Sequence, residues 1–139
     1  MTRVAVLVGA VFLLAACGGG GDNPDADQVK QVWTSFFAAS TPVSKKLTLL
    51  QDGQRFKSTV ESLAANRLAS SLSVKVTSVT LQGANKAKVV FTLMLGKGAL
   101  NLPNVVGYAY KQNGKWVVGY AGLCKLVGLS GSTPAACKS

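Results

Sequence analysis

The spacing of apolar residues along the chain changes near Leu72. Before that residue, apolar side chains recur three or four positions apart, as they do on the buried face of a helix. After it, they recur at every second position, which is typical of a strand with one buried face. Helices followed by a group of strands indicate an α+β fold, so we predict N-terminal helices packed on a curved antiparallel sheet.

Three helices are predicted before the change in spacing. Asp25 or Asp27 can cap the first helix, which has Trp33 and Phe37 on its apolar face. Pro42 disfavours helical geometry at the preceding residue, so the first helix should end before it. The predicted limits of the helices, in order, are Asp25 to Ala39, Thr41 to Gly53 and Phe56 to Asn66.

Four strands are predicted after the change in spacing. Turn-forming residues separate them, and the longest break contains Gly98 and Pro103. The predicted strands are Ser73–Gln82, Lys86–Leu95, Val105–Gln112 and Lys115–Leu123, with a loop over Gly96–Asn104.

Asn113-Gly114 lies between the last two predicted strands and is a strong hairpin signal. Both residues tolerate a positive φ, which a two-residue type I′ turn requires at both central positions. The resulting register places Lys111 opposite Trp116, close enough for a cation–π contact, and Gly107 opposite Tyr120. We expect the Tyr120 ring to cover the backbone of Gly107.

Several aromatic residues on these elements are candidates for lining a ligand pocket. Packing within the core and over glycines is the alternative, and it is the role that we favour. The candidates are Trp33, Phe37, Phe91, Tyr108, Tyr110, Trp116 and Tyr120.

The first residues have the organisation of an export signal. Arg3 precedes the apolar run Val4–Leu14, which is shorter than the about 20 residues that span a bilayer. Leu14-Ala15-Ala16-Cys17 then resembles the lipobox of bacterial lipoproteins, in which the cysteine thiol receives a diacylglyceryl group. An ordinary secretory signal that contains a cysteine is the alternative. The predicted segments are a signal peptide over 1–16, the lipidated Cys17 with a Gly-rich tether over 17–24, and one domain over 25–139.

Charge is distributed unevenly along the sequence. The net charge is +10, and none of the five acidic residues follows Glu61. We expect this positive field to cause weak, salt-sensitive adsorption to anionic membranes or envelope polymers, with a solvated lysine-rich sheet as the alternative. Lys75 and Lys88 lie singly along strands, and the basic residues cannot all face one way, so we expect a diffuse field. The export signal and the scattered lysines argue against nucleic acid as a partner.

Cys124 and Cys137 remain once Cys17 is assigned to the lipid. An exported protein reaches compartments that allow disulfides, so we predict a bond between these two residues. A metal site is the rival interpretation, but the sequence has no histidine, and two thiolates alone do not complete a zinc shell. We therefore expect neither a metal nor another cofactor.

The titratable residues give little support to catalysis. Asp52 precedes Gly53 in a predicted turn, and Glu61 falls on the polar side of the third helix. The Ser70-Ser71 pair has no histidine to activate it, because the sequence contains none. We expect a protein that is not an enzyme.

Two stretches of the sequence have a familiar pattern. One joins Val32–Phe37 to Lys46–Gly53, and the other joins Asn113–Val118 to Leu123–Leu126 and Pro134–Cys137. Together they resemble the mycobacterial low-molecular-weight secreted antigen family, whose members include actinobacterial lipoproteins. The resemblance covers nearly the whole mature domain and implies a cone-shaped fold similar to nuclear transport factor 2. It implies no catalytic residue, and it implies an actinobacterial protein on the outer face of the plasma membrane or shed from it.

Two classes of function remain after these exclusions. The first is a membrane-anchored, non-catalytic binding module for an apolar ligand or an envelope component. The second is an interaction or accessory subunit that docks on another envelope or transport protein. A small enzyme of the same fold is a weaker third hypothesis.

Overall fold

The computed structural model describes residues 23–98, 100–128, 131 and 133–138. The helices are α1 (Pro24–Phe37), α2 (Val43–Leu49), α3 (Lys57–Ala65), α4 (Arg67–Ser70) and α5 (Tyr120–Gly128), with 3₁₀ turns at Gly53–Phe56 and Ala135–Cys137. The strands are β1 (Leu72–Leu81), β2 (Lys86–Leu95), β3 (Leu100–Gln112) and β4 (Lys115–Val118). They form one antiparallel sheet in the order β1-β2-β3-β4, and the predicted α+β class is confirmed. None of the described helices is both long and apolar enough to cross a bilayer.

The sheet is curled, as the sequence predicted. Its register shifts between Val76 and Ser78 in the pairing of β1 with β2, and between Phe91 and Leu93 in the pairing of β2 with β3. Such bulges increase the local twist and bend a strand. The resulting half-barrel has the helices on its inner side.

The start of α1 differs from the prediction. Asn23 is the cap, because its side-chain oxygen accepts a hydrogen bond from the backbone N–H of Asp25 at 3.0 Å. The carboxylate of Asp25 accepts bonds from the indole N–H of Trp116 at 3.0 Å and from the ammonium of Lys111 at 3.4 Å. The side-chain bond to Trp116 is the main cause that lowers the pKa of Asp25. Asp25 therefore holds the start of α1 on the β3–β4 hairpin.

Trp33 is the centre of the core and is fully buried. Its ring lies 4.7 Å from the ring of Phe91 and 5.6 Å from that of Phe37, measured between centroids. A Cβ atom added to Gly107 would lie 2.2 Å from the Cη2 atom of Trp33. The indole of Trp33, and not the ring of Tyr120 as predicted, therefore covers Gly107.

The last predicted strand divides at Gly119. The backbone N–H of Gly119 donates to the carbonyl of Tyr108 at 2.8 Å, and the chain then turns into α5, which begins at Tyr120. On that helix Leu123 is buried against the core, while the ring of Tyr120 stacks on Phe56 at 5.3 Å. The prediction was wrong here because a short apolar run fits a strand and a buried helix equally well.

The third strand is longer than predicted. It begins at Leu100 rather than Val105, so most of the predicted loop belongs to the sheet. β4 pairs only with Ala109–Gln112 of β3. No described strand adjoins the first part of β3 on that side, and proline is tolerated at such an edge, where Pro103 lies.

The segment after α2 connects the helices to the sheet. Leu50 forms an isolated bridge with Val118, and the backbone N–H of Gln51 donates to the carbonyl of Val118 at 2.8 Å. α2 ends before the predicted limit because Leu50 is extended, and Asp52, with a left-handed φ of 51°, then precedes a 3₁₀ turn. Asn66 closes α3 as predicted.

Cys124 and Cys137 form the predicted disulfide. The bond joins α5 to the second 3₁₀ turn across a separation of 13 residues. Closing a loop of this length in the unfolded chain contributes about 3 kcal/mol by chain-entropy arithmetic. The C-terminal segment is thereby held against α5.

Candidate functional site

A cavity of about 390 Å³ lies where the helices meet the end of the curled sheet. Helices α1, α3 and α5 and the adjoining ends of β2 and β3 supply most of its wall. The apolar residues that line it are Phe36, Phe37, Ala39, Val60, Leu63, Ala64, Leu72, Leu93, Leu95, Leu100, Leu102, Leu123, Leu126 and Val127. The polar residues are Thr41, Lys46, Asn66 and Ser70. The cavity is therefore largely apolar.

Two phenylalanines at the end of α1 belong both to the core and to the wall of the cavity. The rings of Phe36 and Phe37 meet edge to face at 5.0 Å, and both side chains are buried. Leu123 of α5 lines the cavity from the other side and is also buried. The inner end of the cavity is therefore built from well-packed side chains.

The outer end of the cavity is formed by leucines at the start of β3. Leu100 is 44% exposed and Leu102 is 37% exposed, and both line the cavity. Large apolar side chains grouped beside a cavity are typical of sites that bind a ligand or a partner. This rim is the apolar entrance of the site.

Lys46 is the charged residue among the described residues that line the cavity. It lies in the second turn of α2, and its side chain is half-buried. Removal from water penalises the charged form, so burial lowers the pKa of Lys46. The wall of the cavity thus contains one partly desolvated cation.

Of the predicted pocket residues, Phe37 is the one that lines the cavity. Trp33 and Phe91 lie behind it, fully packed in the core. Large rings on the middle of α1 and β2 fill the space between helix and sheet, so they leave no opening there. For these two residues the packing alternative in the sequence prediction is the one that the structure supports.

The other predicted pocket residues lie at three separate places. Tyr108 and Tyr110 are on the outer face of the sheet, where the ammonium of Lys86 lies 4.6 Å and 5.9 Å from their ring centroids. Trp116 is at the hairpin, bonded to Asp25, and the cation–π contact predicted for it has its Lys111 partner at 5.6 Å. Tyr120 is on α5. These residues do not form one pocket.

Leucines are the largest group among the cavity residues that the sequence prediction missed. Leu63, Leu93 and Leu95 lie within the predicted third helix and second strand but are not among the predicted pocket residues, and neither is Lys46. The exposed Leu100 and Leu102 alternate on a stretch that was predicted to be a loop. Their alternation was the signal that could have extended β3 and placed an apolar edge beside the helices.

The acidic candidates lie outside the cavity lining. Asp52 occupies the left-handed position before the first 3₁₀ turn. Glu61 forms an exposed ion pair with Lys57 at 4.0 Å, one helical turn apart. Ser70 does line the cavity, but its hydroxyl donates to the carbonyl of Arg67 at 2.7 Å. The lipidation candidate Cys17 lies outside the described residues.

Three lysines share the outer face of the sheet. Lys86 and Lys88 alternate with the buried Ala87 and Val89, and Lys75 is paired with Thr92 on the same side. The strands contain no acidic residue, because none follows Glu61 in the sequence. These three lysines therefore give the outer face of the sheet a local positive charge.

Helices packed on a curled antiparallel sheet, with an apolar cavity between the two layers, define a class of small α+β domains. Within this class, the chain belongs to the family described as low molecular weight antigen MTB12, C-terminal domain, whose model matches residues 22–134. The resemblance to the low-molecular-weight antigen family is thus confirmed over most of the chain.

One solved structure is similar to this chain at 13% sequence identity, with a TM-score of 0.43. It is a Campylobacter jejuni protein with the provisional name NTF2-like transpeptidase, and the match covers 70% of this chain and 97% of that one. Comparison with the curated proteins finds no match.

Proposed function

We propose that this protein is a non-catalytic binding module of the bacterial envelope, which holds an apolar ligand in the cavity between its helices and its sheet. The observation that carries the proposal is the cavity of about 390 Å³, with its leucine-rich apolar lining and exposed leucine entrance. The volume falls within the range of about 300–1,000 Å³ that is typical of small-ligand sites. Burial of a ligand there would also cover the exposed rim.

The chemistry of the lining supports binding without catalysis. General acid–base catalysis needs a titratable group within hydrogen-bond reach of the substrate. Among the described lining residues, Lys46 is the titratable side chain, and Asp52 and Glu61 lie elsewhere, so the described lining offers no acid–base pair. Cys124 and Cys137 are joined to each other and supply no thiolate.

We further infer that the protein is exported and held on the outer face of the plasma membrane by a lipid on Cys17. Membership in an antigen family supports exposure outside the cell. The lipobox-like Leu14-Ala15-Ala16-Cys17 supports the anchor. Two or three acyl chains would hold the protein stably, whereas one chain would not.

Replacing Ala64 with Trp should block ligand binding. Ala64 lines the cavity and is itself exposed, so an indole at this position can enter the mouth without disturbing the core. We expect the affinity for Nile red, a neutral apolar dye, to fall at least about tenfold, which corresponds to about 1.4 kcal/mol. Fluorescence titration of the purified protein measures the effect.

Ala65→Trp is the matched control, because Ala65 is the next residue of α3, is exposed and does not line the cavity. It should bind Nile red as the unmodified protein does. Absence of dye binding to the unmodified protein, or equal binding by both Trp variants, would count against the cavity as a ligand site. Native mass spectrometry of the purified protein gives an independent measurement, since copurified lipid would appear as an added mass.

Docking on another envelope or transport protein is the second candidate function. The observation that favours it is the exposure of Leu100 and Leu102, which a partner could cover. The two candidates differ in their requirement for the cavity interior. Binding of a partner that covers only the rim should be unchanged by Ala64→Trp, the variant that blocks dye binding. It should be weakened by a polar residue in place of Leu100.

The lysines of the outer sheet face should bind the protein weakly to anionic membranes. A basic residue near such a surface contributes about 1 kcal/mol, so we expect Lys75→Gln with Lys88→Gln to lower vesicle binding about 30-fold. Flotation of the Cys17→Ala protein with vesicles of phosphatidylglycerol and phosphatidylcholine measures the change. Lys30→Gln with Lys125→Gln is the control, because it removes the same charge from helices α1 and α5. Equal losses of vesicle binding in the two double variants would show that binding depends on net charge alone and not on the outer face of the sheet.

A further inference from the structure

The polar residues of the cavity wall include a charged group without a charged partner in the cavity. Lys46 lies on α2, and the other polar lining residues, Thr41, Asn66 and Ser70, are uncharged. Among the described residues, the ion pairs are Lys57 with Glu61 and Lys111 with Asp25, so neither involves Lys46. The cavity therefore presents a positive charge beside an apolar volume.

The position of Lys46 beside apolar side chains has a free-energy cost. Its side chain is half-buried, and loss of water around the ammonium lowers the pKa of the group. A buried or half-buried cation is best stabilised by an anion that also accepts its hydrogen bonds. The chain offers no such anion in the described wall, so the complementary charge is expected on the ligand.

The size of the cavity limits what the rest of the ligand can be. A volume of about 390 Å³ is in the lower part of the usual range for ligand sites. The leucine and phenylalanine lining offers dispersion contacts and no further charge. These properties fit one hydrocarbon chain better than the two chains of a bilayer lipid.

We propose that the ligand is a single-chain amphiphile with an anionic headgroup, such as a long-chain carboxylate, whose chain occupies the cavity and whose headgroup pairs with Lys46. This inference rests on the proposed function and adds the chemical class of the ligand to it. The exposed Leu100 and Leu102 contact the part of the chain nearest the entrance. A headgroup carboxylate at Lys46 accepts a charge-assisted hydrogen bond from the ammonium.

An ammonium can also sit at the edge of an apolar surface simply by placing its stem there and its head in water. That alternative gives Lys46 no role in selecting the ligand. The two interpretations therefore differ in whether an anionic ligand binds more tightly than a neutral ligand with the same chain. They also differ in whether removal of the Lys46 charge abolishes the preference for the anionic ligand.

The experiment compares laurate with 1-dodecanol as competitors of Nile red on the purified protein. We expect laurate to bind at least about tenfold more tightly, because its carboxylate can accept a charge-assisted hydrogen bond from the ammonium of Lys46. In Lys46→Met the preference should disappear while dodecanol binding is retained, since methionine preserves the apolar stem. Lys45→Met is the control, because Lys45 is adjacent and exposed and does not line this cavity. It should keep the full preference.

The outcomes separate this inference from the function on which it rests. Equal binding of laurate and dodecanol by the unmodified protein would overturn the anionic ligand class and leave the apolar site standing. Loss of the preference in both lysine variants would show a general charge effect and would also overturn the role of Lys46. Failure of both competitors to displace the dye, or of the dye to bind, would contradict the apolar site itself. Laurate loading measured by native mass spectrometry checks the stoichiometry.

Discussion

Cys17→Ala should move the protein from the membrane fraction to the soluble fraction. The thiol is the group to which the lipid would be attached, and alanine cannot accept it. Each buried methylene group of an acyl chain contributes about 0.8 kcal/mol to membrane binding, so loss of the whole lipid should release nearly all of the protein. Fractionation of cells followed by a high-salt wash measures the distribution, and intact mass shows whether the lipid is present.

Gly18→Ala is the matched control for this substitution. It changes the neighbouring residue and keeps the thiol, so the protein should stay in the membrane fraction. The wash matters because we also propose electrostatic adsorption through the lysine-rich face of the sheet, and salt would screen that attraction. Retention of the Cys17→Ala protein on membranes after the wash would mean that something other than a lipid on Cys17 anchors it.

Gly107→Ala should destabilise the domain by about 1–3 kcal/mol, the usual cost of overpacking a core. The added Cβ atom would lie 2.2 Å from the Cη2 atom of Trp33, a ring that is fully buried and cannot move aside. Urea denaturation of the purified protein measures the free energy of unfolding. The expected change is a lower midpoint at an unchanged slope.

Gly122→Ala provides a control that faces the same atom. A Cβ atom at Gly122 would lie 3.7 Å from Cη2 of Trp33, an ordinary contact, and the residue lies within α5. Alanine favours the helix, so we expect this variant to be as stable as the unmodified protein or more stable by about 0.4–1 kcal/mol. Similar losses at both positions would contradict the packing described for Trp33. Adding Trp33→Phe to Gly107→Ala should recover part of the loss if the two residues are coupled.

The parts of the fold with sharp local signals were predictable from the sequence. Strand β2 has the predicted limits, Lys86 to Leu95, because its alternation is regular and turn residues precede it. The Asn113-Gly114 hairpin fixed the register correctly, so Lys111 lies opposite Trp116. In both cases neighbouring residues alone determine the geometry, and tertiary contacts only reinforce it.

Boundaries that depend on distant residues were not predictable in this way. The stretch from Lys115 to Leu123 is apolar and lacks an obvious breaker other than Gly119, whose turn is fixed by a bond to the carbonyl of Tyr108. The cap of α1 was assigned to Asp25 or Asp27, although Asn23 satisfies it. Asp25 instead accepts a hydrogen bond from the indole of Trp116, a residue that is distant in sequence.

The cavity was beyond prediction for a related reason. Aromatic rings were the natural candidates for a pocket, yet the largest rings fill the middle of the core because they bury the most apolar area there. The cavity lies where smaller residues from separate elements, such as Leu63 and Leu93, fail to meet. Whether such side chains meet is set by the packing of whole elements, and a local pattern does not contain that information.

The hydrogen bond between Asp25 and Trp116 also has a consequence for the order in which the protein can fold. It joins residues that are 91 positions apart, and Leu50 likewise pairs with Val118. If a chain crosses a membrane N-terminus first, the residues of α1 and α2 emerge before those of β4. The contacts between these helices and β4 cannot form until β4 has also emerged. Contacts so distant in sequence form late, because a long loop must close first. We therefore expect a chain that crosses a membrane in this way to remain unfolded during the crossing and to complete its folding only after β4 has emerged.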